Sequence, residues 1–155
     1  MGTQMGRLME DLFSIIFELR VKNDARISAT TGHLAHASFL HLIKGFDPAL
    51  SARLHDQHDY KPFTISPLRG VQEQGEGFML QRGQRCSFRI TLLDGGYLWH
   101  RLSTYFLEAG PIQLFLGPAQ LQLIRMISSS TADPTGWAGI TNWQTLLSLP
   151  ARHLV

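Results

Sequence analysis

The sequence is poor in several features that would point directly to a function. It holds a single cysteine, Cys86, which excludes a disulfide framework and a cysteine-rich zinc site. No apolar run reaches the roughly 18 residues that a membrane helix requires, so no membrane partner is expected. Charged residues make up only 17% of the chain against 44% hydrophobic, a balance that excludes disorder. Lysine is scarce: eleven of the fourteen basic residues are arginine. A net charge of +2 is too small for a footprint that would coat nucleic acid over the whole surface. The pairs Gly75/Gly77 and Gly95-Gly96 lack the spacing of a phosphate loop and read as turns. There is no serine nucleophile elbow, and Cys86 falls on the apolar face of its segment, a poor place for a nucleophile. Gly6 stands where a myristoylation signal has Ser or Thr. No cationic stretch leads into an apolar core and cleavage site, so a cytoplasmic protein is expected.

What is present fits one domain. A chain of 155 residues buries roughly 70% of its extended surface without a metal or disulfide staple. Its charge is uneven. Residues 1–78 carry eight basic and nine acidic residues, residues 79–155 six and three. The arginine forks in the second half suit phosphate or carboxylate.

Periodicity sets the elements. Residues 12–21 alternate, with Phe13, Ile15, Phe17, Leu19 and Val21 on one face, which predicts a strand. The polar stretch Lys22–Thr30 reads as a loop. A helix is expected from Thr31 to Phe46, with Ala35, Phe39, Leu42, Ile43 and Phe46 on one side. Asp47-Pro48 then caps and starts a short helix to about Gln57. Lys61–Leu68 is a strand bracketed by prolines, hence at an edge. Residues 70–77 form a loop or hairpin tip. Gln84–Leu93 is a strand with Cys86, Phe88, Ile90 and Leu92 inward, and 78–81 is its possible partner. Tyr97–Glu108 is a second helix stopped by Gly110-Pro111. Gln113–Leu116 and Ala119–Ser129 are strands around Gly117-Pro118, followed by a polar loop over Ser128–Gly136. Thr141 is placed to cap a last short helix that ends at Pro150. The order is β-α-β-β-α-β, so the expected class is α+β, a ferredoxin-like (RRM-like) domain over 11–150 with an extra short helix and hairpin. Residues 1–10 are expected as a flexible lead-in. Residues 151–155 read as the opening strand of a missing second domain.

The candidate sites are few. His33 and His36 lie one turn apart on the first helix, with His41 on another side. No carboxylate stands at a helpful spacing, and a metal site normally needs three or four convergent ligands, so no metal or cofactor is expected. His55 ends the short helix beside Asp56, with His58 and Lys61 near in sequence. An imidazole exchanges protons near neutrality, and a lysine offsets phosphate charge. A histidine at a helix end is equally a normal partner of the helix dipole. Arg82, Arg85, Arg89 and Arg101 are the densest basic group. They suit either a nucleic-acid backbone or a solvated sheet face. The polar face of Gln84–Leu93 carries no aromatic, which disfavours base stacking on the sheet. Trp99, Trp137 and Trp143 read as core or domain-interface residues.

At 39–68 the run FLHLIKGFDPALSARLHDQHDYKPFTISPL carries a resemblance. The helix into Asp47-Pro48, then Leu54-His55-Asp56 and Lys61–Leu68, resemble the amino-terminal part of CRISPR-associated endoribonucleases of the RAMP superfamily. Phe88-Arg89-Ile90-Thr91-Leu92-Leu93 and Leu116-Gly117 with Leu123 extend the likeness over about 12–150. The resemblance implies two tandem ferredoxin-like domains. It implies metal-independent cleavage of precursor CRISPR RNA within repeats, giving 2′,3′-cyclic phosphate and 5′-hydroxyl ends. His55 then matches a catalytic acid or base, and Lys61 a phosphate-stabilising group. Where some members carry a tyrosine, this chain has Leu40 beside His41, leaving His41 or His36 as substitutes. The implied partners are CRISPR repeat RNA and other subunits of a CRISPR effector complex. Without a second domain, weak RNA binding and little cleavage are expected. The alternative is a non-catalytic RNA-binding or protein-interaction module of the same superfamily.

Overall fold

The structure is a computed structural model that describes residues 11–56, 61–93 and 95–150. Expectations placed on residues 1–10, His58, Asp94 and 151–155 lie outside the described residues. The elements run β1 (Asp11–Val21), β2 (Ala25–Ser28), α1 (Thr31–Phe46), α2 (Pro48–Asp56), β3 (Phe63–Ile65), β4 (Glu73–Gln74), β5 (Gly77–Leu80), β6 (Arg85–Leu92), α3 (Gly96–Glu108), β7 (Ile112–Leu116), β8 (Ala119–Ile127), β9 (Gly139–Asn142) and α4 (Trp143–Ser148).

Strict alternation builds the central sheet. Phe13, Ile15, Phe17, Leu19 and Val21 of β1 are buried, as are Cys86, Phe88, Ile90 and Leu92 of β6. These faces pair antiparallel, Phe17 opposite Phe88, with ring centroids 5.2 Å apart. The sheet order is β3-β6-β1-β8-β7, and β9 pairs with β1 beyond the end of β8. With α1 between β1 and β3 and α3 between β6 and β8, this is the ferredoxin-like β-α-β-β-α-β arrangement. The helices supply the second layer. Phe39 and Ile43 of α1 and Leu98 and Leu102 of α3 close the core. Burial pushes the Cys86 thiol up to about 12, so it stays protonated and inert.

The hairpin between β7 and β8 has a two-residue loop. Gly117, at φ 57°, takes the left-handed conformation such a turn needs. β8 then carries a bulge. Leu19 faces Leu123, but Glu18 faces Arg125, which leaves Ile124 unpaired. The extra residue flips the phase of the strand's end. Met126 joins the core side opposite Phe17, and Ile127 turns to the open side opposite Ile16.

Three expectations change. Segment 78–81 is not the partner of β6. It forms β5 in a separate sheet of order β2-β5-β4. The supposed loop 22–30 contains β2, whose Ala25 and Ile27 are buried. Asn142, not Thr141, caps α4, its Oδ1 accepting from the Thr145 N–H at 2.7 Å. Of the tryptophans read as core or domain-interface, Trp99 is half-buried against Phe13, and Trp143 is exposed, outside the core.

Gly77 makes the β2–β5 approach possible. A Cβ there would meet the Ile27 carbonyl oxygen at 2.3 Å. Gly77→Ala is expected to cost about 1–3 kcal/mol of stability, seen as a lower urea midpoint. Hydrogen exchange should rise first in Ala25–Ser28 and leave β1 protected.

Candidate active site and nucleic-acid interface

The first site grows from a helix hairpin. Thr31 Oγ1 accepts from the Leu68 N–H at 3.2 Å, which ties the start of α1 to the segment after β3. Asp47 caps α2, its Oδ1 accepting from the Leu50 N–H at 2.9 Å. The chain then doubles back, and the Ser51 hydroxyl donates to the Leu40 carbonyl at 2.8 Å. One turn onward in α2 is His55, and one turn back in α1 is His36. His36 stacks on Phe63 of β3, with ring centroids 5.3 Å apart and planes at 22°. Its pKa is lowered, first by burial and then by the positive charges of Lys61, His33 and His55. Thus His55 and Lys61 lie near enough to His36 for their charge to act on it, where α1, α2 and the entry to β3 meet. His55 is open to solvent, its side chain 76% exposed, with Asp56 Oδ1 3.5 Å from its Nδ1. Among the described residues, no three His, Cys, Asp or Glu side chains converge as a metal-ligand set.

His41 lies elsewhere. Five residues beyond His36, it points about 140° round the helix. Its ring sits edge-on to Phe115 of β7, with centroids 6.2 Å apart. β7 and β3 are opposite edges of the sheet, so His41 and His36 serve opposite margins.

The arginines divide as well. Arg85 and Arg89 lie on the open face of β6, and Arg82 is in the turn before it. Arg101 belongs to the helical layer. Its guanidinium donates to the Phe46 carbonyl at 3.2 Å and lies 3.8 Å from Asp47 Oδ2. The four therefore do not form one patch.

The polar face of β6 carries no aromatic, as expected, but a loop lays one across the open face. The segment 128–138 folds back across the sheet. Asp133, buried there, accepts from the Thr135 hydroxyl and from the backbone N–H groups of Thr135, Trp137 and Ala138. The Ser14 hydroxyl donates to the Trp137 carbonyl. The Trp137 ring meets Arg69 at 3.5 Å and Arg89 at 4.6 Å. Arg69 and Asp133 escaped the sequence reading, which placed Trp137 in a core or domain interface rather than beside arginines. Only the turn-forming Asp133-Pro134-Thr135-Gly136 gave a local signal.

The hydrogen bond from the Thr135 hydroxyl, with the three backbone donors, lowers the Asp133 pKa to about 2. A carboxylate depressed in the folded state stabilises above its unfolded value and loses that contribution as pH falls through its folded value. The loop should therefore stay closed down to about pH 3–4 and loosen toward pH 2. Asp133→Asn, with one acceptor oxygen in place of two, is expected to raise amide exchange at Trp137 and Ala138 at neutral pH. Exchange in β6 should not change.

The model of the CRISPR Cas6 N-terminal domain matches residues 12–148. Among solved structures, a Cas6 product complex is 27% identical with a TM-score of 0.62, over 92% of this chain and 48% of that one. Thermus thermophilus Cas6 is 26% identical with a TM-score of 0.53, over 91% of this chain and 45% of that one. A CRISPR associated protein Cas6, 20% identical with a TM-score of 0.54 over 75% of this chain and 48% of that one, shares the fold. This chain spans about half the length of these solved relatives. No curated protein matches it. With the ferredoxin-like topology, these matches show that the chain belongs to the CRISPR Cas6 N-terminal domain family.

Proposed function

We propose that this chain supplies the catalytic half of a metal-independent endoribonuclease that cleaves precursor CRISPR RNA within its repeats. The observation that carries this reading is that His36, stacked on Phe63 at the α1–α2–β3 junction, lies within reach of the charges of His55 and Lys61. The reaction is an internal transfer. The 2′-oxygen bonds to phosphorus as the bond to the 5′-oxygen breaks, leaving a 2′,3′-cyclic phosphate and a 5′-hydroxyl. One proton must leave the 2′-hydroxyl and one must reach the 5′-oxygen. His36, kept neutral by burial and neighbouring positive charge, suits the base. His55, open to solvent, suits the acid, and Lys61 offsets charge on the phosphorane. His41 is set aside because it faces the other sheet margin.

The test is single-turnover incubation with 5′-labelled repeat RNA in EDTA, on the longest natural form of the protein. Products ending in cyclic phosphate support the reading, and uncut RNA overturns it. The 155-residue chain alone should cut weakly or not at all. The relatives are about twice its length, and the RNA must be held in line for attack.

A further inference from the structure

Tyr97, Arg101 and Tyr105 follow one another at intervals of one helical turn along a face of α3. All three meet the elbow Gly45–Asp47, where α1 gives way to α2. We propose that Arg101 and Tyr97 are positioning residues for cleavage: through Asp47 they hold the α1–α2 elbow at the angle that presents His55 to the RNA phosphate. This rests on the catalytic reading of His55 above and gives α3 a part in it.

Three observations carry it. The first is the clamp. Asp47 uses both carboxylate oxygens. Oδ1 accepts from the Leu50 N–H at 2.9 Å and so caps α2. Oδ2 accepts from the Tyr97 hydroxyl at 3.4 Å and lies 3.8 Å from Nη2 of Arg101. The same Nη2 donates to the Phe46 carbonyl, the last of α1, at 3.2 Å. One guanidinium nitrogen thus spans the end of one helix and the cap of the next. A cation at a helix C-terminus and a carboxylate at an N-terminus each suit the local dipole. One turn further along α3, the Tyr105 ring packs 5.1 Å from that of Phe46 by centroid.

The second is that His55 has no support of its own. Its side chain is 76% exposed, and among the described residues its polar contact is Asp56, on the same helix. The imidazole therefore goes where α2 goes.

The third is leverage. The buried Leu50 and Leu54 hold α2 down, but apolar burial has no direction. The directed ties are the Asp47 clamp and the hydrogen bond from Ser51 to the Leu40 carbonyl. His55 lies one turn, about 6 Å, beyond Ser51, and Asp47 about as far before it. With the first tie cut, a tilt of about 10° about Ser51 moves His55 by about 1 Å. A misplacement of about 1 Å costs up to about 100-fold in rate.

The test is single-turnover cleavage of repeat RNA by the longest natural form of the protein, with RNA affinity and the urea midpoint measured alongside. Arg101→Gln should lower the rate at saturating protein about 10-fold or more, with affinity within about twofold. Asp47→Asn separates the cap from the clamp. Asparagine caps a helix as well as aspartate does, but it offers Arg101 no charge. The rate should fall as for Arg101→Gln. The pair is partly exposed and adds little stability, so both midpoints should stay near that of the wild type. The cycle with His55→Ala decides. A residue that acts through His55 has nothing to position once the imidazole is gone, so adding Arg101→Gln to His55→Ala should cost less than about twofold more. A full further loss in that background overturns the proposal. So does weaker RNA binding with a flatter salt slope, which makes Arg101 an RNA contact. An undiminished rate in both variants, or a loss that follows a fallen midpoint, overturns it too. Uncut RNA, or equal cutting by wild type and His55→Ala, overturns the reading of His55 and this one with it.

Discussion

Replacing His55 with alanine is expected to lower single-turnover cleavage of repeat RNA about 10²–10⁴-fold, the usual contribution of a positioned acid or base. RNA affinity should change little, because one exposed imidazole adds little to a polyanion contact. His36→Gln should lower the rate by a smaller factor and also change the pH profile. Its pKa lies below the ordinary histidine value, so it becomes neutral, and able to accept a proton, as pH rises through that lowered value. The activity of the wild type should rise over that acidic range. The variant should lose that limb, a result that a merely structural histidine would not give. His41→Ala should cut at close to the wild-type rate, since its ring packs at the β7 margin. Equal cutting by wild type and His55→Ala would remove His55 from the mechanism.

The largest effect on stability is expected at Phe17. Its ring is fully buried at the centre of β1, 5.2 Å from Phe88 and 6.3 Å from Phe39 by centroid. Phe17→Ala removes a ring from the junction of the sheet with α1 and leaves a cavity that the paired backbone cannot close. The cost should be about 3–5 kcal/mol. Against a typical domain stability of about 5–15 kcal/mol, that is a third or more in many cases. The urea midpoint should fall sharply with the slope unchanged. Phe115→Ala provides the contrast. That ring is exposed on β7, and the change should cost less than about 1 kcal/mol. A Phe17→Ala midpoint near that of Phe115→Ala would refute this account of the core.

Much of this is written locally. The alternation of β1 and β6 specifies two buried faces, because a one-residue slip would turn five apolar side chains of β1 to solvent. The limits of α1 at Thr31 and Phe46 follow from its stripe and from Asp47-Pro48, which cannot continue the helix and starts the next. His55 and Lys61 are visible as candidates because the chemistry of imidazole and ammonium is intrinsic to those side chains. Both lie near enough to His36 for their charge to act on it, His55 because α2 folds back along α1.

Other elements carry no such local instruction. Ala25–Ser28 and Gly139–Asn142 are four residues each, too short to hold an extended form without a partner. β2 exists because β5 approaches it at a glycine, and β9 because β1 runs on past the end of β8. The bulge at Ile124 is likewise a property of the pair, and it decides which side Arg125 and Ile127 face.

The sequence by itself determined the α+β class, the core faces, the two main helices and the family, since period, caps and motif order are local properties of the chain. Only the tertiary structure decided that His36 rather than His41 joins His55, that Arg101 leaves the other arginines, and that Trp137 lies between Arg69 and Arg89. Each depends on which segments return to the same place. Residues 69 and 137 stand 68 positions apart in sequence and meet because a buried carboxylate folds one polar loop back onto the sheet.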